Sequence, residues 1–165
     1  MAERDRDQSG RAANRRQRDA LGRPLPYGVE GVPRIPDDLA LSPAGYLRYA
    51  QDLLDEGLAF NAHEVLEAAW KSAPESERSL WQGLAQLAVG ITHIQRGNMR
   101  GAVAVLRRGA GRVGEFREAP YEIDVAGLVR CAKALADDLE LGNEIAPGRL
   151  RPLLQAAPGS GSGQP

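Results

Sequence analysis

One cysteine and two histidines are the only thiol and imidazole groups in a chain of 165 residues. Cys131 has no second cysteine to pair with, so an intramolecular disulfide is excluded and a reducing compartment is the default. No uninterrupted run of about 18 apolar residues occurs, which excludes a membrane-spanning helix of ordinary composition. The opening MAERDRDQSG carries charges where a secretory leader needs an apolar stretch. The expected location is therefore the cytoplasm, with no membrane partner. An excess of charge of either sign is also missing: 21 Lys and Arg against 22 Asp and Glu leave a formal net charge of −1, which argues against a protein that coats nucleic acid along its whole length. No glycine-rich phosphate loop follows a strand, because Gly109-Ala-Gly-Arg-Val-Gly lies between helical segments, and nothing resembles a nucleophile elbow.

What is present reads as helix. At 42% hydrophobic the chain can fill one ordinary core. Ser42 followed by Pro43 suits a helix start, Tyr46, Leu47, Ala50, Leu53 and Leu54 form one face, and Gly57 is a credible stop. Asn61 and Glu64 have the spacing of a capping box for a second helix that ends near Lys71 and Pro74. The third helix, read from Trp81 to Asn98, carries the apolar stripe Leu80, Leu84, Leu87, Ile91 and Ile94. Gly83, Gly90 and Gly97 recur every seven residues beside that stripe. Glycine inside a helix costs about 1 kcal/mol relative to alanine, and close approach of a neighbouring helix is the expected return. Met99 to Val113 supplies a fourth apolar face, and Asp124 caps a fifth helix through Leu139.

An internal echo runs through this layout. Gly57, Ala62 and Leu66 recur as Gly97, Ala102 and Leu106, an offset of 40 residues, each set opening the second helix of a hairpin. The pattern resembles tetratricopeptide hairpins, whose own period is about 34 residues. The reading is an all-α compact bundle of about five helices with tetratricopeptide-like hairpins. It spans residues 42–141, between an extended arm at 1–41 and a proline- and glycine-rich, disordered tail at 142–165.

In the arm, prolines at 24, 26, 33 and 36 break any helix. Arg11, Arg15, Arg16, Arg18 and Arg23 cluster there against Asp19, so an acidic partner such as nucleic acid is a secondary reading. The cluster lacks interleaved aromatics, and the primary reading is an extension whose Leu25, Tyr27 and Val29 dock on the helical body.

The chemistry concentrates around Phe60 to Trp70, FNAHEVLEAAW. On a helical wheel Glu67 lies about 40° from His63 and Trp70 about 20°, so one face carries all three. A carboxylate one turn after an imidazole can accept its N–H or share a ligand with it, while Glu64 points to water. Gln86 and His93 on the third helix are drawn by the glycines toward an interface, where His63 and Glu67 are natural partners. His63-Glu-Val-Leu-Glu67 is one residue from the zincin HExxH, and the glutamate shifts the preference away from structural zinc toward manganese or iron. The candidate site is His63, Glu67, Trp70, Gln86 and His93, with His63, Glu67 and His93 as the candidate ligands of a divalent metal: zinc, manganese or iron. Arg96 with Asn98 is a weaker anion site.

His63, Glu67 and Trp70 match the HxxxExxW motif of the bacterial and archaeal family catalogued as domain of unknown function 309. The run WQGLAQLAVGITHIQRGNMRGA resembles that family's second block, and the likeness covers roughly residues 42 to 112. The resemblance implies an all-helical fold and a suspected metal-binding motif, without an established activity. Two functions stay open: a small helical enzyme or ligand-binding protein with hydrolase-like chemistry at a partly buried His/Glu/Gln site, and a helical interaction module in which the same network is structural. Self-association is open under either.

Overall fold

A computed structural model describes residues 18–25, 31–32 and 34–157. Arg11, Arg15, Arg16, Tyr27 and Val29, and the disorder expected of the tail from residue 158 on, lie outside the described residues. Among those described the protein is helical: α1 (Pro43–Asp55), α2 (Ala59–Ser72), α3 (Glu75–Gln95), α4 (Met99–Val113) and α5 (Val125–Glu140), with short 3-10 turns at Pro120–Glu122 and Pro147–Leu150. Each helix packs mainly on the next one in the chain. The buried leucines Leu47, Leu54, Leu66, Leu84, Leu106 and Leu135 run through all five helices as one continuous core, each worth about 1.5–3 kcal/mol on full burial.

The ends of the helices follow from local chemistry. Ser42 Oγ accepts the Gly45 N–H at 3.0 Å and Pro43 takes the first helical position. Asn98 and Asp124 cap α4 and α5 in the same way, through the N–H groups of Gly101 and Gly127. Three helices stop on the same turn. Gly57, Gly97 and Gly142 all have φ of 77–78°, and the following residue returns its N–H to the helix: Leu58 to Leu53, Asn98 to His93 and Asn143 to Asp138, at 2.8–2.9 Å. This left-handed stop requires glycine or pays for a Cβ.

Two expectations need correction. Asn61 caps nothing: α2 begins at Ala59 behind Leu58, and Asn61 is buried inside the first turns. The Gly57 stop explains this, since Leu58 already accepts the Ala62 N–H and the chain re-enters helix at once. The third helix starts at Glu75, directly after Pro74, with Glu75 and Glu77 in its first turn. Acidic residues there suit the helix dipole, a signal that outweighs the lack of an early apolar period.

The glycine seam belongs to α3 and α4. A Cβ on Gly83 would lie 2.8 Å from Val113 Cγ2, and one on Gly90 2.6 Å from Leu106 Cγ. Gly109 answers from α4, where a Cβ would sit 3.1 Å from the Gly83 carbonyl oxygen. Gly97 is outside this seam, because its role is the helix stop and nothing lies within 4 Å of it.

Through Ala156 the tail returns to the body: the Gln51 amide donates to Pro152 O at 3.0 Å and accepts from Leu154 N at 2.8 Å. Leu154 O accepts the Asp124 N–H, Ala156 N–H reaches Glu122 O, and Leu154 is buried.

Candidate functional site

His63 projects from the second turn of α2 with both ring nitrogens facing groups of that helix. Nδ1 lies 2.9 Å from the Phe60 carbonyl oxygen. A carbonyl only accepts, so Nδ1 carries the proton and Nε2 is left facing the carboxylate of Glu67 at 3.3 Å. Glu67 reaches on to Lys71 at 3.8 Å. The His63 side chain is 21% exposed and that of Glu67 39%, so this chain runs from a half-buried imidazole out to solvent. The i, i+4 spacing read from the sequence places these groups together as expected. Trp70 lies half-buried against the core further along α2.

The arm closes over the start of this helix. Gly22 is buried on the Phe60 ring, where a Cβ would come within 2.2 Å of Cγ. The guanidinium carbons of Arg18 and Arg96 stand 5.1 and 5.5 Å from the Phe60 centroid, and the His63 ring lies 5.1 Å away at 53°. Cation–π contacts of this kind contribute about 0.5–2 kcal/mol depending on desolvation. Arg96 Nε donates to Leu21 O at 2.7 Å, Arg23 donates back to Arg96 O at 3.2 Å, and Arg18 donates to Gly22 O. Docking of the arm is therefore observed, carried by Arg18 and Leu21 to Arg23 with half-buried Leu25 beside them.

Glu64 departs from its expected place in water. It is half-buried, and burial pushes its carboxyl above the ordinary value, against the pull of His63, Arg18 and Arg34. A helical wheel of α2 alone cannot reveal this, because the covering groups come from the arm. The signal available in the sequence was Phe60 next to the motif and an arm rich in arginine, the two halves of a cation–π clasp.

Gln86 and His93 belong to other surroundings. The Gln86 side chain leaves α3 beside Gly109, in the seam with α4, and its Oε1 is buried without a protein partner, as is Arg112 Nε in the same seam. His93 turns into the Gly97 stop, with Nδ1 3.2 Å from Asn98 Nδ2. Burial and then the charge of Arg96 hold its imidazole below the ordinary value. Arg96 and Asn98, the weaker anion pair, are taken up respectively by the arm and by the α4 cap. Among the described residues, no group of three or more His, Cys, Asp or Glu side chains could hold a metal ion. The ligand set of His63, Glu67 and His93 is thus not preassembled, His63 being directed to Glu67 and His93 to Asn98. No helix among the described residues is long and apolar enough to cross a membrane.

Residues 47–105, from α1 into α4 and including both histidines, match the model of a family described as a domain of unknown function (DUF309). A curated relative from Bacillus subtilis (strain 168), the "Uncharacterized protein YpuF", is 38% identical over 61 residues, 36% of this chain and 35% of that protein. The match spans about a third of that relative's length. No solved structure matches the chain significantly.

Proposed function

We propose that this chain, whose residues 47–105 match the DUF309 family model, is a helical interaction module in which the HxxxExxW residues are structural. In this reading His63 and Glu67 stiffen the first turns of α2 and present Phe60 to the arm, and the outer helical faces meet a partner. The observation that supports the reading is that both ring nitrogens of His63 face groups of its own helix, Nδ1–H the Phe60 carbonyl and Nε2 the Glu67 carboxylate at 3.3 Å, while no group of three or more His, Cys, Asp or Glu side chains among the described residues gathers there to complete a metal shell. A second reading, acid–base chemistry on a small ligand, draws support from Glu64, a half-buried carboxyl raised by burial and set beside an imidazole.

Metal analysis and melting of protein purified without a polyhistidine tag separate the readings. The interaction module predicts no stoichiometric metal in the parent, and a loss of about 2–4 °C in His63→Ala for each kcal/mol of lost hydrogen bonding. One equivalent of zinc, manganese or iron in the parent, lost in His63→Ala, would refute it.

A further inference from the structure

Three helices end on the same glycine turn, but only two of those turns lead into another helix. Gly57 opens α2 and Gly97 opens α4, whereas after Gly142 the chain runs to Pro147 and a short 3-10 turn. Among the described residues no helix lies across the end of the α4–α5 pair, and an open apolar groove remains there in two lobes. The first, about 440 Å³, is walled by Ile94, Met99, Leu139, Ile145 and Leu150 and edged by Glu144. The second, about 290 Å³, is walled by Met99, Val103, Ala104 and Leu139 and edged by Arg100 and by Glu140, which is held by Arg107. Met99 and Leu139 line both lobes. Beside the groove in the chain stands Leu141, which is 76% exposed, and Met99 itself is 44% exposed.

Most charges around the groove are satisfied within the chain. Arg107 pairs with Asp137 and Glu140, and Arg149 with Asp138. Arg100 and Glu144 form no ion pair with another described residue, and they edge different lobes. A surface with one free charge of each sign, disposed about a shared apolar centre, is complementary to itself. Because Met99 and Leu139 line both lobes, a two-fold axis near them would bring each first lobe toward the other copy's second lobe.

We propose that the α4–α5 groove docks a second copy of this chain, with Leu141 of each copy entering the second lobe of the other and Glu144 facing Arg100 across the contact. The proposal rests on reading the chain as an interaction module, and it names the surface and the partner. An apolar anchor beside a pair of rim charges is the arrangement in which the anchor supplies affinity and the charges set register.

Sedimentation velocity of the full chain over a concentration series tests it. The parent should show a concentration-dependent dimer, and Leu141→Glu should be monomeric with unchanged helix content, since this side chain lies outside the core. Arg100→Glu and Glu144→Arg should each weaken the dimer about threefold to tenfold, and the double variant should recover it. A parent that stays monomeric throughout, or a dimer whose dissociation constant ignores Leu141→Glu, would overturn the proposal. The motif reading fails separately, on bound metal, whatever the mass of the particle.

Discussion

Gly90→Ala should destabilise this protein although alanine is the better helix former by about 1 kcal/mol. Gly90 is buried in α3, and its added Cβ would stand 2.6 Å from both Cγ and Cδ2 of Leu106 and 3.5 Å from the Leu106 nitrogen. Leu106 is 1% exposed, so its side chain cannot swing into solvent and the helices must part by several tenths of an ångström. Overpacking of a full core costs about 1–3 kcal/mol, which exceeds the propensity gain over most of that range. The net loss is about 1 kcal/mol, or roughly 2–4 °C in melting temperature for a chain of this size. Gly111→Ala is the internal control: it lies in α4, is exposed, and has nothing within 4 Å of its Cβ position. The same substitution there should stabilise by about 0.5–1 kcal/mol. Leu106→Ala should remove the clash, so that Gly90→Ala turns stabilising in that background, giving a coupling free energy of opposite sign to the single cost. Calorimetry or urea unfolding of the five chains, the parent, three single variants and the Gly90/Leu106 double variant, reads all of this. Equal stabilisation by Gly90→Ala and Gly111→Ala would refute the close α3–α4 crossing.

Glu64 is raised by burial, so its contribution to stability is full below its ordinary value of 4.5 and is lost as pH rises through the raised folded value; Glu64→Gln should gain on the parent in moving from acid to neutral pH, and parallel melting curves against pH would count against it. His93 has the opposite shift, lowered by burial and Arg96, so stability is present above its ordinary value of 6.5 and falls as pH drops through the folded value; His93→Gln should blunt that acid loss. Phe60→Ala removes the ring between Arg18 and Arg96 and should release the arm, read as faster tryptic cleavage after Arg18; unchanged cleavage would show that the ring does not hold it. Gln51→Ala breaks both bonds to the tail and should cost about 1–2 kcal/mol, with faster proteolysis near Leu153 and Leu154 as the local readout.

The helices were legible because each combines an apolar period with a chemical stop or start that acts over a few residues. Ser42, Gly57, Gly97, Asp124 and Gly142 all perform the local roles their residue types suggest. The His63–Glu67 contact was legible for the same reason, being internal to one turn of one helix. What escaped the sequence depends on groups far away along the chain. Glu64 looks solvent-facing on its own helix and is covered only when Arg18 and Arg34 arrive with the arm. Gln86 shares a face with His93, yet the approach of Gly109 draws it toward α4. The tail reads as disordered from its prolines and glycines, but Leu154 and the Gln51 amide hold its first part, an interaction across 103 residues.

The most direct test of the structural role of the motif is the protonation pattern of the His63 ring, observed by long-range nitrogen–proton correlation during titration with zinc and then manganese. The account predicts a proton fixed on Nδ1 by the Phe60 carbonyl and ring signals that do not respond at one equivalent of either metal. A free Nδ1, or saturation of Nε2 at one equivalent, would contradict it.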